Sequence, residues 1–331
     1  MNHSAASYVY RRMRVAAALV IVLASGAALA KPKGVTRRPL ANKTAVAQAG
    51  PQDPTPAATA APAPAPAPAP VVGLPAPPPL APAPSTSPRP SRPPLWFRFG
   101  ERIDWSLQVR GAEGGKARLA VGQPAKSGER TILPVRGDAR TSGIADSIKH
   151  VVEESTSYVD IWTTLPVVSE IRGEHGKDIV TGRVTRKDDS TAEVVTARGA
   201  GAAGPSESKQ TVTIYPKTHD GLTALALLRS LPGLKEGSSR TILVYTGVKA
   251  WRLTATYSKR EVIHTALGEM ETFRVDGSAQ RSELNGTPMS DKPAKAFTGW
   301  FSADKRRVPV LFEADSDYGK VSLVVTAYSD R

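Results

Sequence analysis

The sequence predicts a mainly β domain, in which an antiparallel sheet curls into a barrel-like or sandwich form around one buried helix at about 219–231. Three observations lead to this prediction. From Leu95 onward, short segments alternate apolar and polar residues with a period of two, as strands with one buried face do. Turn signals separate these segments at short spacing, which favours antiparallel pairing over βαβ units. A single segment among them is apolar almost all round.

The clearest strand lies between Lys249 and Ser258, where large apolar residues occupy every second position from Trp251 to Tyr257. The same alternation predicts strands at 103–109, 117–121, 179–184, 193–197, 212–214, 242–244, 273–275 and 321–327. Turns are expected at 114–115, 187–189, 285–286 and 317–319, where Gly, Asp and Asn are concentrated.

The predicted helix runs from His219 to Leu231, with leucines at 222, 225, 227, 228 and 231. Because leucine occurs on nearly every side, the helix is expected to be largely buried, covering the open side of the sheet. Thr218 or Asp220 can cap its start, and Pro232-Gly233 ends it. A second short helix at 146–154 is an alternative to a strand there.

Residues 1–94 precede this domain and predict export. Arg11, Arg12 and Arg14 stand before a 16-residue apolar run that ends in Ala28-Leu29-Ala30. This is the pattern of a secretory signal peptide, residues 1–30, and the run is shorter than the roughly 20 residues that span a bilayer. We therefore expect a protein of the periplasm or cell envelope. The alternative is an uncleaved signal that anchors the chain to the inner membrane.

Residues 31–94 are predicted to form a disordered, Pro/Ala-rich stalk, and residues 95–331 a single β-rich domain. Between Pro51 and Pro94 there are 18 prolines and 11 alanines. Proline fixes φ and removes the amide donor, so this tract favours extended polyproline II over helix or sheet. The stalk is then either a spacer that holds the domain away from a membrane or wall, or a leader without a ligand.

The net charge of +14 is concentrated before the domain. Residues 1–94 hold ten basic residues and one acid, whereas residues 95–331 hold 34 basic and 29 acidic residues. No basic-aromatic nucleic-acid motif occurs, so no nucleic-acid partner is expected. Membrane or wall contact is expected through the basic stalk flanks, Lys31, Lys33, Arg37, Arg38, Lys43, Arg89 and Arg92. The absence of cysteine excludes disulfides, a thiol nucleophile and Cys-ligated zinc.

Three segments together resemble a family of bacterial exported proteins, that of domain of unknown function 3108. The first is Phe99-Gly-Glu-Arg-Ile103, and the second is the helix from Asp220 to Arg229 with Leu231-Pro232 and Gly237. The third comprises Trp300-Phe-Ser-Ala-Asp304, Arg307-Val-Pro-Val310 and Tyr318-Gly-Lys-Val321. The resemblance covers roughly Phe97 to Thr326 and implies an envelope protein built on antiparallel sheet, without an established activity. Leucines dominate this helix, where the family more often has small or aromatic residues.

No catalytic motif is convincing. Gly199–Gly204 matches G-x-G-x-x-G, but Pro205 and a strand follow it instead of the helix that a dinucleotide site needs; a flexible hairpin loop is predicted. Two S-x-x-K matches begin at Ser206 and Ser302, but the S-D-N and K-T-G motifs that accompany S-x-x-K at a catalytic serine are absent from the sequence. The histidines are scattered, without metal-ligand spacing. We therefore expect no enzyme activity, no cofactor and no metal.

The candidate ligand-binding residues are Asp220, Leu225, Leu228 and Arg229 on the helix, and Trp300. Few polar groups in an apolar setting are typical of a ligand pocket. The structural alternative is that Asp220 caps the helix, and that Arg229 in the last turn favours the helix dipole. Either Trp300 or Phe301 should be core, and the segment from Asp304 to Arg307 reads most simply as a charged turn.

Two functions from different classes remain. The first is a non-catalytic binding module for an amphiphilic or lipid-like envelope component, held between the sheet and the apolar helix. The second is a structural or assembly protein that binds an envelope partner through the outer face or edge strands of its β-domain, positioned by the Pro-rich stalk. The first is the preferred hypothesis at this stage.

Overall fold

The computed structural model describes residues 96–148, 150–176, 178–200, 203–231, 235–316 and 319–330. The predicted signal peptide and stalk lie outside the described residues, as do Pro232-Gly233. The described residues form fifteen strands and two helices. The strands are β1 (Arg102–Val109), β2 (Ala112–Val121), β3 (Ala125–Ser127), β4 (Arg130–Thr141), β5 (Val151–Asp160), β6 (Pro166–His175), β7 (Asp178–Arg186), β8 (Thr191–Ala200), β9 (Ala203–Thr213), β10 (Ser239–Tyr245), β11 (Ala250–Thr265), β12 (Gly268–Ser282), β13 (Lys295–Ser302), β14 (Pro309–Ser316) and β15 (Gly319–Ser329).

All these strands belong to one antiparallel sheet, which confirms the predicted fold class. Its order is β10-β11-β12-β13-β14-β15-β1-β2-β4-β5-β6-β7-β8-β9, with β3 paired to β4 at one side. β1 lies between β15 and β2, so the first and last strands of the domain are neighbours. The sheet is not closed, because β9 and β10 stand at opposite ends of the order.

Alternation along the strands decides which side chains enter the core. In β1, Ile103, Trp105 and Leu107 are buried, and the residues between them are not. In β11, the alternating apolar residues of the sequence pattern are likewise buried, and Arg252 between two of them is exposed. This is the period-two burial expected where only one face of a strand is covered.

The long helix α2 spans Gly221–Ser230 and packs against β4, β5 and β10. It begins two residues later than predicted, because His219 pairs with Val244 of β10 and Asp220 is the N-cap. Leu222, Leu225 and Leu228 are buried, as a helix that is apolar almost all round requires. The shorter helix α1 spans Gly143–Ile148, and β5 follows it, so the segment 146–154 contains both helix and strand.

The predicted turn at Gly114-Gly115 is wrong, because both glycines lie within β2. The chain turns instead at Arg110 and Gly111, whose φ angles of 53° and 82° suit a two-residue hairpin loop. Gly115 is needed for close packing: a Cβ there would lie 2.2 Å from the carbonyl oxygen of Arg140 on β4. The turn at 187–189 is confirmed between β7 and β8.

Buried apolar side chains of the described residues form a large main core and two smaller clusters. The main core joins α2 to β1, β2, β4–β6 and β10–β15, and the smallest cluster, Ile132, Tyr158, Val167 and Val168, lies on β4–β6. The second cluster consists of five buried residues, with Val184, Val212 and Leu284 packed on it; the five are Ala192, Val194, Ile214, Tyr245 and Ala250. It lies where β7, β8 and β9 approach β10 and β11, and therefore brings the two ends of the sheet into contact.

Candidate functional site

Asp220 forms a capping box at the start of α2. Its Oδ1 accepts the backbone N–H of Thr223 at 2.8 Å, while the Thr223 hydroxyl accepts the N–H of Asp220 at 3.0 Å. Its Oδ2 accepts the hydroxyl of Ser169 on β6 at 2.6 Å. The carboxylate is buried and both of its oxygens are used, so Asp220 fixes the helix start onto the sheet.

His219, next to the cap, lines a small cavity. The cavity measures about 20 Å³, enough for one water molecule, and its polar walls come from Ser169, Arg186, Thr218 and Tyr245. His219 is 7% exposed, and its Nδ1 lacks a hydrogen-bond partner among the described residues. Burial lowers the pKa of His219 to about 4, with Arg186 and Arg240 acting in the same direction and Asp220 opposing them.

The guanidinium of Arg186 binds three separate segments of the chain beside this cavity. It donates to the carbonyl oxygens of Thr218 at 2.6 Å, Asp189 at 3.2 Å and Pro166 at 3.3 Å. The first of these bonds crosses from β7 to the segment that leads into α2. Burial lowers the pKa of Arg186, and the nearby Asp189 carboxylate opposes that shift.

Leu225 and Leu228 project from α2 into the main core, and neither has measurable exposed surface. A side chain without accessible surface does not border a water-sized space, since such a space would add to its accessible area. Their ligand-binding role remains a prediction, and in this structure both are packed among apolar protein side chains.

Arg229 lies at the other end of α2 and is fully buried. Its Nη1 and Nη2 donate to the two carboxylate oxygens of Glu101 at 2.8 and 2.7 Å. Nη2 also donates to the carbonyl oxygen of Arg306 at 2.7 Å, and the guanidinium lies 5.8 Å from the ring centre of Phe97. Arg229 and Asp220 therefore have separate partners, as their positions at opposite helix ends predict.

Trp300 lies on β13, far along the chain from the helix residues. Its neighbour Phe301 packs edge-on against Phe312 in the core. The indole N–H of Trp300 donates to the carboxylate of Glu261, and the guanidinium of Arg274 lies 5.6 Å from its ring centre. Both Trp300 and Phe301 are buried, and the charged turn predicted at Asp304–Arg307 connects β13 to β14.

The five candidate residues thus occupy three places. Asp220 lies at the cavity, Leu225 and Leu228 in the main core with Arg229 at its end, and Trp300 on β13 beside Glu261 and Arg274. Glu101, Ser169 and Arg186 were not predicted from the sequence. Glu101 stands in the first segment that carries the family resemblance, which was the available signal; nothing local to Ser169 or Arg186 distinguishes them.

The edge of the sheet at β9 offers a different kind of site. Ser206 to Thr211 are exposed on both faces of the strand. β9 pairs with β8 on one side, and no strand of the described residues pairs with it on the other. The hairpin predicted around Gly199–Gly204 is confirmed as the β8–β9 connection.

The described residues hold neither a metal-binding cluster nor a membrane-spanning helix. No group of three or more His, Asp or Glu side chains there could hold a metal ion. Neither helix in this part of the chain has the length and apolar character needed to cross a bilayer.

Three solved structures are similar to this chain over about 70% of its length. A β-barrel-like protein of domain of unknown function DUF1849 from Brucella abortus is 12% identical, with a TM-score of 0.44 over 70% of this chain and 98% of that one. A protein from Bacteroides fragilis, provisionally described as exported and as having a YmcC-like fold, is 10% identical. Its TM-score is 0.32 over 71% of this chain and 99% of that one. A provisionally assigned lipoprotein from Parabacteroides distasonis is 10% identical, with a TM-score of 0.30 over 71% and 98%.

At these identities, and with TM-scores below 0.5, the three similarities carry no functional conclusion. No protein with a curated description matches the chain. The family described as Protein of unknown function (DUF3108), however, matches residues 102–326, from β1 into β15. The match spans most of the chain and agrees with the resemblance found in the three sequence segments. The chain therefore belongs to the DUF3108 family of proteins of unknown function.

Proposed function

We propose that this protein is a non-catalytic component of the cell envelope that binds an envelope partner through its β-domain, with the free edge of β9 as the binding element. The observation behind the proposal is that β9 is eleven residues long and is paired on one side only among the described residues. An unpaired edge presents a row of backbone N–H and C=O groups, to which an extended segment of another protein can add as a strand.

The composition of β9 supports selective rather than indiscriminate pairing. Ser206 to Thr211 read Ser-Glu-Ser-Lys-Gln-Thr, so both faces are polar and the edge carries a charge of each sign. Charged residues on an edge discourage aggregation with unrelated strands. A partner would gain affinity from the backbone ladder and specificity from side chains opposite Glu207 and Lys209.

The leader and the stalk support a location of this protein in the cell envelope. The signal-peptide pattern at 1–30 supports export, and the Pro/Ala-rich segment 31–94 supports a spacer that presents the domain at a distance. Basic residues that flank the stalk could contact anionic lipid or wall polymer. In this proposal the stalk sets where β9 meets its partner.

A carrier of an amphiphilic, lipid-like molecule is the second candidate. It is favoured by the position of α2, which packs on β10 beside the opening in the sheet. Leu225 and Leu228 are nevertheless packed without exposed surface. A guest would therefore need the helix or an end of the sheet to move before it could enter.

The edge proposal can be tested with two adjacent proline substitutions, Ser208→Pro and Lys209→Pro, in the full exported chain. Along an antiparallel strand, the backbone groups of successive residues point to opposite sides. One proline therefore removes an N–H that faces β8, and the other removes an N–H at the free edge. A photoreactive residue at Gln210 reports partner contact, and one at Val262, which is 55% exposed on the β11–β12 hairpin, serves as the control.

We expect a defined cross-linked partner from position 210 and not from position 262. One proline variant should stay folded and lose this product, and the other should unfold the β8–β9 hairpin. The proposal fails if position 210 yields no product, or if the folded proline variant cross-links like the parent. Shortening residues 51–94, with export intact, should lower the yield if the stalk is a spacer.

The carrier candidate is tested separately by native mass spectrometry of the exported chain, with solvent extraction of the same sample. A stoichiometric additional mass that extracts as an amphiphile would establish cargo. A clean mass of the protein alone would leave the edge proposal as the function to pursue.

A further inference from the structure

The two ends of the sheet meet along a seam in which no strands of the described part of the chain pair with each other. On one side lies the wing, which we define as β7, β8 and β9. On the other side lies β10 with the segment Thr218–Asp220 that leads into α2. Among the described residues, the wing is paired to the rest of the sheet only through β6, and α2 packs on β4, β5 and β10.

Packing across the seam is limited to the second cluster. Val194 and Ala192 of β8 contact residues of β10 and β11 in a group of five buried side chains, separate from the main core. Gly247, just beyond β10, also lies close to the wing, since a Cβ there would be 2.9 Å from Val184 of β7. A unit with few buried apolar contacts opens at a lower free energy than the main core does.

Arg186 provides a polar connection across the seam. Its Nη2 donates to the carbonyl oxygen of Thr218 at 2.6 Å, while its other two bonds go to Pro166 and Asp189. Because Pro166 and Asp189 belong to the neighbouring β6 and to the β7–β8 turn, the Thr218 bond alone ties the arginine across the seam. The cavity of about 20 Å³ beside His219 lies at the same place, so the seam is also incompletely filled.

We propose that the wing opens away from β10 as a unit while the main core stays folded, and that the Arg186–Thr218 bond is the latch. Opening uncovers the inner face of β7 and β8 and the start of α2. This motion goes beyond the proposed function, since it does not depend on whether the edge of β9 binds a partner.

The absence of native cysteine allows a direct test by thiol labelling of the full exported chain. Ala192→Cys places a thiol in the second cluster, and Ala255→Cys places one in the main core; both alanines have 0% exposure. We expect the thiol at position 192 to react with a small alkylating reagent at least about tenfold faster than the thiol at 255, because local opening precedes global unfolding.

Arg186→Gln should raise labelling at position 192 by about 10- to 100-fold, as expected for loss of a hydrogen bond to a charged group, and leave position 255 unchanged. Arg183→Gln is the matched control, since Arg183 lies on the same strand with a 45% exposed side chain paired to Glu170. It should change neither rate.

Equal labelling of positions 192 and 255, or an equal increase at both with Arg186→Gln, would overturn the proposal, because both results mean that the seam opens only by global unfolding. If Arg186→Gln does not fold, Arg186→Lys keeps the charge without the planar fork. In either case, the labelling rates at positions 192 and 255 with Arg186 intact decide whether the wing opens separately from the main core.

Discussion

Arg229 and Glu101, 128 residues apart in sequence, form a two-point ion pair in which neither side chain is exposed. The pair joins the end of α2 to the residue before β1, and Arg229 extends it to the carbonyl oxygen of Arg306. These three residues come from, or directly adjoin, the three segments that carry the family resemblance. The segments therefore meet in space at one buried contact.

We expect Arg229→Met to destabilise the protein by about 3–5 kcal/mol, because it leaves the Glu101 carboxylate buried without its partner. The double variant Glu101→Leu/Arg229→Met should recover much of that loss, since no buried charge remains. Urea unfolding of both single variants and the double variant measures the coupling free energy. Additive losses in the double variant would show that the pair does not act as a unit.

The cap at the start of α2 gives a second prediction. Asp220→Ala should reduce the free energy of unfolding by about 1–3 kcal/mol, because it removes a capping box and the acceptor of the Ser169 hydroxyl. Ser169→Ala should cost less, since Asp220 keeps its bonds to Thr223. Denaturant midpoints distinguish the two variants, and equal losses would contradict a dominant role for the cap.

Stability should depend on pH through His219. Its pKa of about 4 in the folded state lies below the ordinary value of 6.5, so the unfolded chain binds a proton first as pH falls. The contribution of neutral His219 is therefore complete above pH 6.5 and is lost as pH falls from 6.5 to about 4, by roughly 3 kcal/mol in total. Urea midpoints measured between pH 7 and 4 test this, and His219→Gln should flatten the profile. An unchanged profile in the variant would assign the dependence to other groups.

Gly115 should be intolerant of any side chain. In Gly115→Ala the new Cβ would meet the carbonyl oxygen of Arg140 at 2.2 Å, so β2 and β4 must separate locally. We expect a loss of about 2 kcal/mol or more in the free energy of unfolding. Gly128→Ala is the control, because nothing lies within 4 Å of a Cβ there and only its positive φ of 59° opposes the change. Thermal unfolding should show the smaller shift for position 128.

Much of the fold follows from local pattern. The alternation in β1 and β11 predicted which residues are buried, because the side chains of a strand point alternately to its two faces. The all-round leucine pattern of 219–231 predicted a buried helix for a similar reason. The exact start of that helix was not predictable, since it depends on the pairing of His219 with β10.

The candidate site was predicted less completely. Asp220 was expected either as a cap or in a pocket, and the structure makes it a cap beside a small cavity. Trp300 was predicted as a ligand-binding residue together with the helix residues, and the structure pairs its indole with Glu261 and Arg274. Gly114-Gly115 looked like a turn because glycine is common in turns, whereas here glycine permits close approach of a neighbouring strand.

Local sequence is enough to predict the strand-rich fold class, the buried helix and the family, and it carries the pattern of an exported chain with a proline-rich leader. These depend on composition or on neighbours within a few residues, which the sequence displays directly. Only the tertiary structure decided that Glu101 neutralises Arg229, that Arg186 reaches Thr218, and that the sheet stays open between β9 and β10. Each of these depends on groups far apart in sequence. A charged side chain finds its partner only when folding buries the two within hydrogen-bond distance, because a buried charge without a partner is costly.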